Sequence, residues 1–143
     1  MSELLGFIAI LFVTIYTYFL ILKKNELKQI LFTALAIRIF VILIGNYFIS
    51  LPDSTGDARS YEYDAWIMSQ YGFVEILSFY PGPSSSFITW IIAIIYSLTD
   101  RSIIMAQSLS LFFGITSIYL GCVIAEKIWN IKSSIKVGWV LAL

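Results

Sequence analysis

The side chains best suited to catalysis lie together in one polar stretch, residues 54–66, between long apolar runs. This stretch carries the carboxylates Asp57, Glu62 and Asp64 and the basic residue Arg59. A carboxylate that is partly shielded from water has a raised pKa, which suits a general base that removes a proton from a hydroxyl or an amine. We therefore take Asp57 as the first candidate for a catalytic base and Asp64 as the second.

A structural role for Asp57 competes with the catalytic one. Asp57 precedes an amphipathic run of residues, and an aspartate at the start of a helix accepts hydrogen bonds from the free backbone N–H groups of the first turn. The sequence alone favours this capping role over catalysis. A capping carboxylate can still act on a substrate, so the two roles are compatible.

The composition identifies the environment in which such a base would work. Hydrophobic residues make up 59% of the 143 residues and charged residues 13%. Soluble domains are nearer half apolar and a quarter charged, so an integral membrane protein is predicted. The net charge of zero gives no basic surface for nucleic acid. The absence of histidine and the single Cys122 exclude histidine-based metal sites, histidine bases and an intramolecular disulfide.

The first apolar run, residues 4–22, is long enough to cross the hydrocarbon core of a bilayer, which needs about 20 residues. Glu3 precedes this run and Lys23 and Lys24 follow it, which is the opposite of a signal peptide's charge pattern. Because basic residues favour the inner side of a membrane, the pattern predicts a retained transmembrane helix with its N-terminus outside.

The second span, residues 30–49, carries Arg38 near its middle. An arginine at that depth costs about 2.5–3.5 kcal/mol on insertion scales, so it needs a reason to be there. It either faces the interior of the helix bundle with a functional role, or it pairs structurally with a carboxylate or carbonyl on a neighbouring helix. Both alternatives stay open at this point.

The polar stretch after this span predicts a surface helix over residues 57–70. Its apolar residues recur at spacings of three and four, which defines one face of a helix: Ala58, Tyr61, Ala65 and Met68. Interfacial aromatic residues favour a helix that lies along the membrane surface. We expect Glu62 and Glu75 to be solvated.

Lysines determine how the remaining helices cross the membrane. The run 103–125 is long enough to span, whereas the apolar run 84–98 is too short. Basic residues follow the run 103–125, and they belong on the same inner side as the first lysine cluster only if an even number of spans separates the two groups. The segment 84–98 is therefore predicted to start and end on the outer side. A further apolar run starts at residue 137.

These elements predict an all-α, polytopic membrane protein with amphipathic and short non-spanning helices on its outer face. Residues 1–29 form an extra N-terminal transmembrane helix with a basic inner loop, and residues 30–143 form the main module. The order of features in that module carries a resemblance to a known superfamily. The matching positions are Arg38, then Gly56-Asp57-Ala58 with Tyr61 and Ala65, then Tyr80-Pro81-Gly82-Pro83.

In this order the chain resembles the N-terminal part of the GT-C glycosyltransferases, which include dolichyl-phosphate-mannose protein mannosyltransferases and bacterial lipid A aminoarabinose transferases. The resemblance implies transfer of a sugar from a polyprenyl-phosphate carrier to an acceptor on the outer face, here of the bacterial plasma membrane. It places the catalytic acidic residue at Asp57, as a general base or a metal ligand. Many members have Asp-Glu or paired prolines where this chain has Asp57-Ala58 and Pro81-Gly82-Pro83.

The resemblance also suggests charged groups and side chains that assist the sugar transfer. A divalent cation, Arg59 or Arg101 would stabilise the charge on the departing lipid phosphate. Asp64 follows Asp57 by seven residues, about 10 Å along a helix, which would strain a metal site shared by both. The residues expected to bind the substrate are Arg59, Tyr61, Arg38 and Tyr80. Aromatic rings stack on sugar faces, although membrane anchoring explains the tyrosines as well.

Two other functions fit the sequence. The run 103–125 has a face of small residues that let helices approach closely: Ser110, Gly114, Ser117, Gly121 and Ala125. The chain would then be a small non-enzymatic membrane protein that docks on a larger partner, on further membrane helices or subunits, or a truncated and inactive fragment. A weaker alternative is a piece of a transporter, in which Arg38 lines a path.

Overall fold

The computed structural model describes residues 2–48 and 57–142, and within that part of the chain it contains helices and no strand. The side chains of residues 2, 57 and 58 lie outside the description. In chain order the helices are α1 (Ser2–Lys23), α2 (Lys28–Tyr47), α3 (Asp57–Ser69), α4 (Phe73–Ser78), α5 (Phe87–Leu98), α6 (Ile103–Ile128) and α7 (Ile131–Ala142), with one 3₁₀ turn at Asn25–Leu27.

Among the described residues, three helices are long and apolar enough to cross a membrane, namely α1, α2 and α6. This result agrees with the prediction of an all-α membrane protein, and the three helices coincide with the predicted spans. With α7 they pack around one apolar core, whose fully buried residues include Leu27, Leu31, Ile115 and Cys122. Large apolar side chains cover the outside of the same helices, as a lipid-facing surface requires.

Helices α3, α4 and α5 form a second unit, here called the α3–α5 layer. Its core is built from Ala65 of α3, Ile76 of α4 and Tyr96 of α5, together with Met105 near the start of α6. Leu5, near the start of α1, also packs against it. The layer therefore lies at the end of the bundle where α1 and α6 begin, which we call the layer end.

The opposite end of the bundle carries the lysines and is here called the lysine end. Lys24, in the turn between α1 and α2, places its Nζ 2.6 and 2.7 Å from the two carboxylate oxygens of Glu126 near the end of α6. Lys23 ends α1 and Lys28 begins α2 on either side of this turn, and Lys127 follows Glu126. The early lysine cluster and the start of the later one thus share one end, as the crossing argument requires.

Several boundaries differ from the prediction. Helix α2 starts two residues earlier and ends at Tyr47, α5 starts at Phe87 instead of residue 84, and α6 continues to Ile128. The apolar run from residue 137 lies inside α7, which already begins at Ile131. Helices α6 and α7 are separated only by residues 129–130, so the basic segment that follows the run 103–125 is largely helical.

The breaks between the short helices have local causes. Gly72, between α3 and α4, has a φ of 92°, and Gly82, in the turn before α5, has a φ of 67°. L-residues avoid this region, and the prolines on either side of Gly82 also prevent a continuous helix. The start of α6 is fixed by Ser102, whose hydroxyl accepts a hydrogen bond from the backbone N–H of Met105 at 3.4 Å.

Candidate functional site

The first candidate base, Asp57, is the first described residue of α3. Its carboxylate and the preceding Gly56 lie outside the described residues, so the predicted start of the helix stays a prediction. The catalytic and capping roles of Asp57 both remain predictions.

Four other sequence-predicted residues lie on the surface of α3 or in the turn between α4 and α5. Arg59 and Asp64 are exposed, and Tyr61 keeps 39% of its surface accessible. Asp64 lines a shallow cavity of about 290 Å³ together with Met68 and Phe79. Tyr80 packs edge-on against Trp90 with 5.2 Å between ring centroids. The structure therefore does not bring Arg59, Tyr61, Asp64 and Tyr80 together into one site.

The polar cluster that the structure does form is centred on Glu62 of α3. Arg101, between α5 and α6, donates two hydrogen bonds to this carboxylate, from Nε to Oε1 at 2.9 Å and from Nη2 to Oε2 at 2.8 Å. The Glu62 side chain is 8% exposed and that of Arg101 35%. The expectation that Glu62 is solvated is wrong, because this two-point pairing compensates its charge in a site that excludes water.

A tyrosine completes the coordination of this carboxylate. The Tyr96 hydroxyl of α5 lies 2.9 Å from Glu62 Oε1 and 2.9 Å from the carbonyl oxygen of Ser102, and it has one proton to donate between these two acceptors. Burial and then the hydrogen bond to Glu62 raise the pKa of Tyr96, so the hydroxyl stays protonated. The cluster thereby links α3, α5 and the start of α6.

Aromatic rings of α3 cover the exposed side of Arg101. The guanidinium carbon lies 4.7 Å from the ring centroid of Trp66 and 5.9 Å from that of Tyr63. A cation over an aromatic face is stabilised by about 0.5–2 kcal/mol, depending on how far water is excluded. Trp66 and Tyr63 thus have a specific structural role beyond membrane anchoring.

The burial of α3 follows from this cluster. The buried positions are Glu62, Ala65 and Ser69, at spacings of three and four, whereas Tyr61 is exposed and Met68 half-buried. The predicted apolar face was therefore displaced by about one residue around the helix. The ion pair turns the Glu62 side of α3 toward Arg101. A pattern of apolar residues contains no information on such a pair.

The pairing makes the α3–α5 layer sensitive to acid. Burial raises the pKa of Glu62. The hydrogen bonds from Arg101 and Tyr96 together lower it by a larger amount, so the pKa lies below the usual 4.5. A carboxyl whose pKa is lowered in the folded state contributes stability above its unfolded-state pKa and loses it as the pH falls. We expect the amides of α3 to lose hydrogen-exchange protection below about pH 4.5, relative to the middle of α6.

The test compares wild-type protein with Glu62→Gln by hydrogen exchange at several pH values, after correction for the intrinsic rates. The neutral glutamine cannot titrate, so the α3-to-α6 ratio should be flatter with pH in the variant. The same pH profile in both proteins would assign the acid response to other carboxyl groups.

Arg38 has backbone carbonyl partners on a neighbouring helix, as its structural alternative describes, and its functional role stays a prediction. It lies at mid-helix in α2, and its Nη1 and Nη2 donate to the carbonyl oxygens of Ala142 and Leu141 in α7, at 3.1 and 3.4 Å. Gly114 of α6 makes room for this side chain, since a Cβ built there would be 3.3 Å from Arg38 Nε. Arg38 is thus far along the bundle from the Glu62–Arg101 cluster.

A second cavity, of about 400 Å³, opens at the layer end. Its polar lining includes Glu3, Asn46 and Arg101. Asn46 also donates to Gln107 of α6 at 2.6 Å, which joins α2 to α6 at this level. Among the described residues no group of three or more His, Cys, Asp or Glu side chains is arranged to hold a metal ion.

The sequence does not show that Glu62 and Arg101 form a pair, because they are 39 residues apart. One signal was present, since Glu62, Ala65 and Ser69 share a helical face and Arg101 is the only basic residue between Arg59 and Lys127. Comparison of the chain with protein-family models, with curated proteins and with solved structures gives no match.

Proposed function

We propose that the chain forms the N-terminal membrane portion of a glycosyltransferase that moves a sugar from a polyprenyl-phosphate carrier to an acceptor on the outer face of the bacterial plasma membrane. The observation that carries the proposal is the attachment of α3 to the start of α6 through Glu62 and Arg101. This attachment fixes α3, which carries Asp57, at the layer end of the bundle.

The orientation in the membrane is part of the proposal and rests on the lysines. Lys23, Lys24 and Lys28 lie at one end, beside the Lys24–Glu126 ion pair. With this end on the inner side, as the bias of basic residues favours, the N-terminus and the α3–α5 layer are outside. A lipid-linked sugar in the outer leaflet then meets α3 at the level of its own phosphate.

In the proposed reaction Asp57 acts as the general base. Its carboxylate takes the proton of the acceptor hydroxyl or amine while the acceptor atom attacks the anomeric carbon of the sugar. The bond between that carbon and the phosphate oxygen breaks, and its electron pair leaves with the lipid phosphate. The exposed Arg59, two residues after Asp57, offers its positive charge to this phosphate.

Arg101 is less available to stabilise the charge on the departing lipid phosphate than the sequence suggested. Two of its nitrogens are bound to Glu62 and its plane is covered by Trp66. Its charge is therefore largely neutralised by the carboxylate beside it. We assign Arg101 the role of holding α3 in position.

The test is the substitution Asp57→Asn in the full-length protein. Membranes that contain the wild-type or variant protein at matched levels are incubated with radiolabelled polyprenyl-phosphate-linked hexoses and pentoses, and incorporation of the sugar into acceptors is measured. Loss of a general base should lower the transfer rate by about 100-fold or more. Asp64→Asn, at the second-choice base, runs in parallel.

The matched control is Glu75→Gln, which neutralises an exposed carboxylate in the first turn of α4 without touching α3. This variant should transfer sugar at the wild-type rate. Near-normal transfer by Asp57→Asn would remove Asp57 from the mechanism. If the wild-type protein transfers sugar from none of these donors, the proposed function is wrong.

A further inference from the structure

Arg38 carries a positive charge in the middle of the membrane-spanning part of the bundle. It lies on α2, which with the preceding turn forms the 23-residue span Asn25–Tyr47. The nearer end of that span, Tyr47, is nine residues away, or about 14 Å at 1.5 Å per residue. An arginine side chain reaches roughly half that distance, so the guanidinium cannot easily extend to the lipid phosphates.

The partners of Arg38 in the described part of the chain are insufficient for a charge at this depth. A guanidinium has five N–H donors. Two of them reach the carbonyl oxygens of Ala142 and Leu141, and the second of these bonds is long at 3.4 Å. Both ion pairs among the described residues involve other side chains, Lys24 with Glu126 and Arg101 with Glu62. The charge of Arg38 thus has no carboxylate within the part of the chain that the structure describes.

The surroundings of Arg38 leave access from one side. Its side chain is half-buried. It contacts Gly114 of α6 on one side and Ala142 of α7 on another. Val41 on the next turn of α2 and Ser110 and Ser117 on α6 are exposed around this position. A neighbouring helix can therefore approach the guanidinium without displacing a side chain from the bundle.

We propose that Arg38 is the docking point for a further transmembrane helix that carries an aspartate or glutamate at mid-depth. Charge complementarity identifies the partner, because in a medium without water only an opposite charge compensates both the charge and the free N–H groups. A guanidinium offers a carboxylate two parallel hydrogen bonds, which sets the depth of the partner helix as well as its affinity. This inference does not depend on the proposed glycosyl transfer.

The experiment uses a defined probe in place of the natural partner. A synthetic transmembrane peptide of leucine and alanine with one central glutamate, and a matched peptide with glutamine at the same position, each carry a fluorescent acceptor. The protein carries the donor at its N-terminus, and energy transfer is titrated in phosphatidylcholine vesicles at pH 8. We expect the glutamate peptide to associate with the wild-type protein at least about tenfold more tightly than the glutamine peptide.

Two variants assign this preference to Arg38. Arg38→Leu should bring the ratio between the two peptides close to one, while Arg38→Lys should keep part of it because the positive charge remains. Hydrogen-exchange protection of α6 in each variant verifies that the bundle is intact, and Arg38→Lys serves as the decisive variant if Arg38→Leu does not fold. Equal binding of the two peptides by the wild-type protein, or the same ratio in the variants, would overturn the proposal.

Discussion

Replacing Glu62 by alanine should release α3 from the bundle while leaving the spans intact. The substitution leaves the Arg101 guanidinium beside the layer without its carboxylate and leaves one acceptor of Tyr96 missing. Removing one member of a fully buried ion pair costs about 3–5 kcal/mol. Because Arg101 keeps 35% of its side-chain surface exposed, we expect a smaller cost, about 2–3 kcal/mol. Hydrogen exchange of the α3 amides should accelerate roughly 30- to 150-fold, which is less than the loss of a fully buried pair would cause.

Asp64→Ala is the matched control, because it removes an exposed carboxylate from the same helix. Its α3 amides should exchange within about threefold of wild type, as surface substitutions change stability by about 0.5 kcal/mol. The double variant Glu62→Leu with Arg101→Met removes both charges and should exchange more slowly than Glu62→Ala. Equal exchange rates for Glu62→Ala and Asp64→Ala would show that packing, and not the ion pair, holds α3.

Gly6→Ala should open the contact between the first helix and α6. A Cβ at Gly6 would lie 2.7 Å from Ile104 Cβ and 3.0 Å from the Ser102 hydroxyl oxygen. The Ile104 Cβ is fixed to its backbone and cannot rotate away, so the two helices must separate. Overpacking of this kind costs about 1–3 kcal/mol, which exceeds the gain of about 1 kcal/mol in helix propensity.

Gly121→Ala provides the matched control for Gly6→Ala. Its added Cβ would meet Leu141 Cδ1 at 2.8 Å, but this atom is the end of a flexible, exposed side chain. The clash is relieved by a rotamer change, so the propensity gain should leave the variant as stable as wild type or slightly more so.

Both glycine variants can be measured through the same native reporter. Cys122 is fully buried in the bundle core and is the only cysteine. Its rate of labelling by a thiol reagent in detergent micelles therefore reports opening of the bundle. We expect faster labelling for Gly6→Ala than for Gly121→Ala, and the reverse order would refute the proposed tight contact between α1 and α6.

The membrane class and the three spans were predictable because they depend on quantities that the sequence states directly. Length and apolar character decide whether a helix crosses a bilayer, and α1, α2 and α6 satisfy both. The short α5 was recognisable by the same criterion. Boundaries were less accurate, since helix ends depend on local caps such as Ser102.

The polar contacts were predictable only in part. Glu62 looked like a solvated residue of a surface helix because its partner, Arg101, is 39 residues later, and helical periodicity contains no information on such distant pairs. Arg38 posed the opposite problem. Its position in the middle of α2 indicated that it needs a polar partner. Only the packing of α7 shows that the carbonyl oxygens of Leu141 and Ala142 are partners within the described chain.

The ion pair between Lys24 and Glu126 has a consequence for the order of assembly. Its two residues are 102 positions apart, and the chain is synthesised at about 5–20 residues per second. Lys24 therefore leaves the ribosome roughly 5–20 s before the glutamate that it binds. During that interval α1 and α2 are in the membrane without α6, and Gly6 faces no Ile104. The first two spans must tolerate several seconds as an unsupported hairpin, and α6 is the late helix that closes the bundle at both of its ends.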